Sequence, residues 1–342
     1  MITLTRRLRQ TLTAAVTITC AYCSMMGAVV AEEVKLKFAF FTGETDMVFL
    51  STIKPFIEAV NQDGKGIVQI ELFANGILGG RSLPQQAQLV LDGTADITFF
   101  VPGLTPGRFP DNGLLELPGL FSDLRSATMV LTRLVNQGKL RGFEEYYPIA
   151  TLGAFPYSLY SRKPIRSLDD IRGKKFATTN ATNVAVLRVL GASGIPIPIS
   201  EMPEAIGRGT IDGALNLLGA IVDFGVARVT SHDYTLRFGI NPLVVVMNRK
   251  KFESLSPQAQ EIIRKYSGDW ASEKFIQGYG AYQDKLAKML ADDPKRTVVA
   301  PSPADQAIAN ARFKEIIDEW TAKDIRNREL LDALRTELRK LQ

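Results

Sequence analysis

Residues 35–101 alternate strand, helix, strand, helix, strand, and no other feature of this chain restricts its fold as much. Lys35, Leu36, Lys37 and Phe38 alternate polar and apolar before the apolar end of a first strand over 35–41. The loop Thr42-Gly43-Glu44-Thr45-Asp46 leads into a helix in which Phe49, Ile53, Phe56, Ile57 and Val60 recur at three to four residues, marking one buried face. A Gly64-Lys65-Gly66 turn separates it from a second strand, 67–73, with Val68, Ile70 and Leu72 on one side. After the Gly79-Gly80 turn come a helix through Leu91, a stop at Gly93 and a third strand over 96–101. Right-handed crossovers make parallel pairing the default, so the class is α/β.

A second α/β run follows. The chain reads as extended over 149–161, turns at Lys163-Pro164, and then offers strands at 174–178, 195–199 and 211–216 around a helix at 184–190. The apolar segment 236–247 is long enough to return to the first run. Ser256-Pro257 supplies an N-cap and a proline at the first helical position of a helix reaching to about residue 292, with a bend expected at Ser267-Gly268. Such a helix is longer than one small domain needs, so it is expected to span two. A final helix follows Ser302-Pro303, with Phe313, Ile316, Ile317 and Trp320, then Leu330, Leu331 and Leu334, on its apolar stripe. A chain of 342 residues suits two such domains, and a cleft between the carboxyl ends of their strands is where open α/β sheets bind ligands.

The first 31 residues belong to neither run. Arg6, Arg7 and Arg9 precede an uncharged stretch, 12–30, that ends in small residues before Glu32-Glu33. This is the order of a secretory signal with cleavage after Val29-Val30-Ala31. The other reading is a membrane anchor, but four Ser/Thr and a single Leu suit that stretch poorly to a bilayer. Arg6-Arg7 is also compatible with twin-arginine export. Cys20 and Cys23 leave with the signal, so the mature chain is cysteine-free, and no stable membrane insertion is expected after cleavage. Forty-one Lys+Arg against 36 Asp+Glu give +5, and removing the three signal arginines leaves 38 against 36, or +2. A mixed, nearly balanced surface gives no footprint for nucleic acid.

Enzymatic constellations are missing as well. His232 beside Asp233 reads as a surface histidine in a polar turn, with no activated nucleophile near it. The acid pairs Glu144-Glu145 and Asp292-Asp293 are sequence neighbours and not an opposed glycosidase pair. Neither a dinucleotide fingerprint nor a phosphate loop occurs, and one histidine with two cysteines excludes most Cys/His metal sites. No catalytic residue, metal or cofactor is expected.

Seven segments, in order, resemble one family. Ala74-Asn75-Gly76-Ile77-Leu78-Gly79-Gly80 is similar to a P-N-G-Q-L-G-G turn, residues 88–96 (QLVLDGTAD) to an L-Q-x-G-x-x-D helix end, and Leu117-Pro118-Gly119-Leu120-Phe121 to L-P-F-L-F. Residues 163–175 resemble R-P-I-x-x-x-x-D-L-x-G-x-K, and Leu190-Gly191-Ala192, residues 196–201 and Gly209-Thr210-Ile211-Asp212-Gly213 follow the order L-G-A, P-x-P-x-x-E, G-x-x-D-G. These are motifs of the DctP-type substrate-binding proteins of tripartite ATP-independent periplasmic (TRAP) transporters. The resemblance covers nearly the whole mature chain. It implies a two-lobed periplasmic-binding-protein clamshell with hinge strands and a long helix spanning both lobes. Lobe I is expected to hold residues 32–153 and 242–281, and lobe II residues 154–241 and 282–342, with the C-terminal helices packing across both. It further implies a periplasmic receptor that closes on a small-molecule ligand and delivers it to TRAP-type permease subunits in the membrane. A ligand-sensing module for a receptor kinase would need the same clamshell. Some members of the family dimerise through the long helix, and the sequence carries no mark of that either way.

The implied ligand-binding set is Phe41, Thr42, Phe99, Val101, Tyr157, Ala177, Thr178, Asn180 and Asn216. It departs from the family at its most informative position. The strand after D-L-x-G-x-K usually ends in an arginine that pairs bidentately with a substrate carboxylate, and counting along Gly173-Lys174-Lys175-Phe176 puts Ala177 there. No arginine stands in Phe155-Pro156-Tyr157 either, and Phe41 and Phe99 occupy positions that are polar in several relatives. A neutral or aromatic ligand is therefore expected. The alternative is a carboxylate held by another base, for which Arg162, Arg188 and Arg208 are the second-lobe candidates.

Overall fold

Strand β1 (Val34–Ala39) hydrogen-bonds in parallel to β2 (Val68–Phe73) on one side and to β3 (Ile97–Phe100) on the other, as the crossover rule expects. This computed structural model describes residues 32–154 and 156–341, so residues 1–31, where an export signal is expected, and Phe155 lie outside the described residues. A π-helical turn, Phe49–Ile53, runs into helix α1 (Lys54–Asp63), and together they bury Phe49, Ile53, Phe56 and Val60 against the sheet. The remaining helices of the first half are α2 (Gln86–Leu91), α3 (Gly113–Glu116) and α4 (Leu124–Asn136). Asp123 and Ser126 form a reciprocal capping box at the start of α4.

From β4 (Tyr146–Ala154) the chain crosses to β5 (Tyr157–Ser161), which opens a second sheet. There follow β6 (Lys175–Thr178), α5 (Ala181–Val189), β7 (Ser193–Pro196), α6 (Met202–Gly207), β8 (Gly213–Leu217), α7 (Leu218–Asp223) and β9 (His232–Tyr234). His232 is thus the first residue of a strand and not part of a polar turn. The apolar segment does return: β10 (Asn241–Asn248) inserts between β3 and β4, antiparallel to both. One sheet has the order β2-β1-β3-β10-β4. The other, completed by β11 (Thr297–Val299), runs β11-β9-β5-β8-β6-β7. The two crossings lie side by side, with Tyr157 N donating to Gly239 O and Phe238 N to Tyr157 O, each at 3.3 Å.

Helices α8 (Arg249–Ser254), α9 (Pro257–Lys265) and α10 (Asp269–Ala291) come next. The single bent helix expected from the sequence is therefore two. Gly268, at φ +61 and ψ −123, occupies a backbone region closed to residues with a Cβ and breaks the run outright. Twenty-three residues make α10 about 35 Å long. Its first turns meet the first lobe, where Ser272 Oγ lies 2.8 Å from Thr132 Oγ1, and its later turns meet the second, where Tyr282 donates to Asp223 and Leu290 joins the core. The expected final helix is also two, α11 (Pro303–Ala322) and α12 (Ile325–Arg339), because Asp324 leaves helical geometry and caps the second. Leu330, Leu331 and Leu334 of α12 are buried, and α12 packs on α4. Among the described residues no helix is long and apolar enough to cross a membrane.

Candidate ligand-binding cleft

The carboxyl ends of β1 and β3 bring Phe40, Phe41 and Phe99 together. Parallel pairing of Phe38 with Ile97 and of Ala39 with Thr98 carries the next residues, Phe40 and Phe99, into register. Phe41 stacks on Phe99 with centroids 5.8 Å apart and planes at 16°, and Phe40 meets Phe99 edge-on at 5.8 Å. Val101, just past β3, is partly buried against the same core. Thr42 has its hydroxyl buried without a well-formed hydrogen bond. Four residues on, Asp46 Oδ1 accepts from Val48 N at 2.8 Å and Phe49 N at 3.2 Å. Burial raises the Asp46 pKa in spite of those bonds.

Tyr157, Ala177, Thr178 and Asn216 stand on β5, β6 and β8, and strand alternation divides the residues that the sequence grouped. Tyr157 pairs with Leu217 and faces the side of the sheet that holds Phe176 and Thr178. Asp233, Tyr160, Ala214 and Ala177 form a cross-strand row on the other side. There Ala177 has no exposed surface and shares an apolar layer with Tyr160, Met202, Ile206 and Ile221. Asn216 shares that side; its Nδ2 lies 3.8 Å from Met202 Sδ and its Oδ1 accepts from Leu217 N at 2.8 Å. Thr178 is fully buried with an unpaired hydroxyl, and Asn180 caps α5 by accepting from Asn183 N at 2.7 Å. Ala177 and Asn216 therefore do not share a face with Tyr157 and Thr178, although all four lie at one edge of the sheet.

The candidate replacement arginines point elsewhere. Arg162 donates to Ile206 O at 3.0 Å, while Arg188 and Arg208 have side chains 63% and 73% exposed and pair with Glu319 and Glu204. Among the described residues Arg296 is a buried arginine, and its fork holds Asp233 and the carbonyls of Ala227 and Thr230.

Sequence reasoning missed Glu116. It is 8% exposed, accepts from Asn112 Nδ2 at 2.7 Å, and reaches across the lobes to accept from Thr182 Oγ1 of α5 at 3.1 Å. Glycines make room for it: a Cβ on Gly103 would stand 2.3 Å from Glu116 Oε1, and one on Gly239 would stand 2.6 Å from Glu116 O. A lone acid in the apolar run Leu114-Leu115-Glu116-Leu117 was the available signal. Burial pushes its carboxyl up to about 7, against the lowering effect of Thr182 and Asn112. Burial also raises the Tyr157 phenol, and the Glu116 charge adds to that.

The sign of the consequence is fixed. Between about 4.5 and about 7 the folded chain holds a proton on Glu116 that the unfolded chain releases, so stability falls as pH rises through that window, by about 3 kcal/mol. Thermal unfolding of wild type and Glu116→Gln at several pH values is expected to show the extra decline in wild type only. Equal slopes in the two proteins would mean that the carboxyl is solvated.

Long-helix residues were missed too. Tyr279 is 5% exposed and stacks on Phe275 at 4.6 Å, while Tyr282 Oη donates to Asp223 Oδ1 at 3.1 Å. Asp223 is raised by burial, lowered by Tyr282, and raised again by the charge of Asp46 on the facing lobe. Among the described residues no group of three or more His, Cys, Asp or Glu is placed to hold a metal ion.

A two-sheet clamshell with a cleft at the strand ends is now joined to a sequence match. The profile of the bacterial extracellular solute-binding proteins, family 7, covers residues 38–324. The chain belongs to this family, DctP. This DctP-family chain is 29% identical over 276 residues to the 2,3-diketo-L-gulonate-binding periplasmic protein YiaO of Escherichia coli (strain K12), a match spanning 77% of each chain. Its fold matches that of a marine metagenome TRAP solute binding protein specific for aromatic acid ligands, from an unidentified microbe, in complex with metahydroxyphenylacetate. The TM-score is 0.80 at 24% identity, over 90% of this chain and 99% of that one. A Bordetella bronchiseptica TRAP periplasmic solute binding protein with bound (R)- and (S)-mandelate matches with a TM-score of 0.76 at 21% identity, over 90% and 100%. DctP-family members are solute receptors, and this chain is one that binds a small ligand.

Proposed function

We propose that this receptor works in the periplasm after removal of residues 1–31, and that its ligand is an aromatic compound without a carboxylate at the family's arginine position. In this reading it acts by binding and closure without catalysis and hands the ligand to a TRAP-type permease. Lobes divided near residues 153/154, 241/242 and 281/282 would close over a ring held at Phe41 and Phe99. The observation that carries the reading is the residue type at position 177, an alanine where the resemblance places the family's arginine, so no guanidinium is supplied from the end of β6. A carboxylate buried in the cleft without a partner would lose several kcal/mol, a large part of the roughly 8 kcal/mol of a micromolar complex. Aromatic character is supported by the Phe41–Phe99 stack; the marine and Bordetella proteins hold aromatic acids, metahydroxyphenylacetate and mandelate, and this reading keeps their ring without their carboxylate.

A thermal-shift screen of the mature chain tests this. Aromatic alcohols, phenols and amines at about a hundred times their Kd are expected to add roughly 2.7 kcal/mol, a rise of several degrees. Stabilisation chiefly by aliphatic mono- or dicarboxylates would overturn the reading.

A further inference from the structure

Both halves of the molecule bury Glu116 together. Its helix, α3, packs on β10 of the first sheet, and Thr182 stands in the first turn of α5, which packs on β6 and β7 of the second. Glu116 Oε1 accepts from Asn112 Nδ2 at 2.7 Å and Oε2 from Thr182 Oγ1 at 3.1 Å, so its two oxygens are divided between the lobes. Its backbone lies against Gly239 on the returning crossing, where a Cβ would stand 2.6 Å from Glu116 O. A carboxyl 8% exposed is thus covered by a joint, and turning one lobe on the other takes Thr182 away and lets water in. The charged groups around it are occupied. Asp111, in the turn before α3, binds Arg141 and Arg326 of α12, Arg188 of α5 pairs with Glu319 of α11, and Arg237 on the returning crossing donates to Ser122 O at 2.7 Å. Strand β10 carries no ionisable residue, and β5 presents the phenol of Tyr157, whose ionisation the Glu116 charge opposes. Burial dominates at Glu116, and no base is among the groups that shift it.

We propose that closure of this receptor is linked to a proton on Glu116: the closed form keeps the carboxyl neutral between Asn112 and Thr182, the open form releases the proton to water, and ligand is held more tightly in acid than at neutral pH. This rests on the closure in the reading above and not on the chemistry of the ligand. Opening returns the carboxyl to water and to its ordinary value of 4.5, whereas the buried carboxyl stands at about 7. Closing therefore takes up a proton between those limits. The help it gives is fully present below about 4.5 and is lost as pH rises through about 7. Between pH 5 and pH 8 that difference raises the closed-to-open ratio in acid by up to about 70-fold, and incomplete wetting of the open form reduces it to no less than about tenfold. Ligand affinity follows the population of the closed form.

From residue 32 onward the chain has no cysteine, so Ile77→Cys and Phe224→Cys place one nitroxide label on each lobe, at side chains 71% and 45% exposed. Pulsed electron–electron distance measurements on the ligand-free mature chain are expected to show the short-distance population favoured at least about tenfold more at pH 5 than at pH 8. Glu116→Gln, which cannot ionise, is expected to give one distribution at both pH values. Thr182→Val, which removes a donor to the carboxylate, is expected to keep the change and enlarge it. Unchanged wild-type distances would overturn the proton link while ligand-driven closure stands, and so would a change that Glu116→Gln retains or that Thr182→Val abolishes. A failed thermal-shift screen with aromatic alcohols, phenols and amines would leave this inference in place, since it requires closure and not a particular ligand.

Discussion

Ala177→Arg is expected to destabilise the receptor by several kcal/mol without conferring carboxylate binding. Ala177 has no exposed surface; across the strands it neighbours Ala214 and Ile195, and Tyr160, Met202, Ile206 and Ile221 pack into the same layer. Inserting a long side chain there overpacks a filled core, at about 1–3 kcal/mol. The guanidinium would also lose its water without gaining an anion, because Asp233, in the same cross-strand row, already pairs with Arg296. Against a total stability of about 5–15 kcal/mol, the sum is a large fraction. Differential scanning calorimetry is expected to show the midpoint lowered by roughly 10 °C. A variant as stable as wild type that gains affinity for benzoate would show that position 177 opens to the cleft.

Asp111→Ala is expected to loosen the C-terminal helix from the first lobe. Asp111 is 1% exposed and accepts from Arg141 through its backbone N at 2.8 Å and through its guanidinium, and from Arg326 Nη2 at 2.6 Å. Arg326 is the second residue of α12 and also donates to Lys139 O at 2.9 Å, so one carboxylate ties the end of the chain to the loop before β4. Burial raises the pKa of Asp111, but the hydrogen bonds of Arg326 and Arg141 outweigh it and bring the carboxyl to about 2. The stabilisation is therefore fully present above about 3.8 and is lost as pH falls through about 2. At neutral pH removing the carboxylate is expected to cost about 2 kcal/mol, partly because both guanidinia are exposed enough to rehydrate. Hydrogen exchange should show α12 deprotected more than the strands. Protection unchanged throughout α12 would mean that Leu330, Leu331 and Leu334 hold the helix alone.

Much of the architecture was legible because it rests on short-range periodicity. The β-α-β-α-β run, the return of 236–247 to the first sheet and the helix starts at Ser256-Pro257 and Ser302-Pro303 follow from spacing, caps and crossover handedness. The two helix breaks were under-read for a local reason. Gly268 takes a backbone conformation that a pattern of apolar residues does not encode, and Asp324 is only one of several acids near the end of the chain. The cleft was legible as a set of strand ends and not as a set of faces. Phe41 and Phe99 meet because parallel register brings the ends of β1 and β3 together.

By itself the sequence determined that this chain is an α/β solute receptor of the DctP family, because motif order and strand–helix alternation are local and survive without contacts. Only the tertiary structure decided that Ala177 and Asn216 turn to a packed layer while Tyr157 and Thr178 turn to the other side of the sheet. It alone placed Glu116 against Thr182. Those two residues lie 66 positions apart, a separation that only sheet register and lobe docking can close.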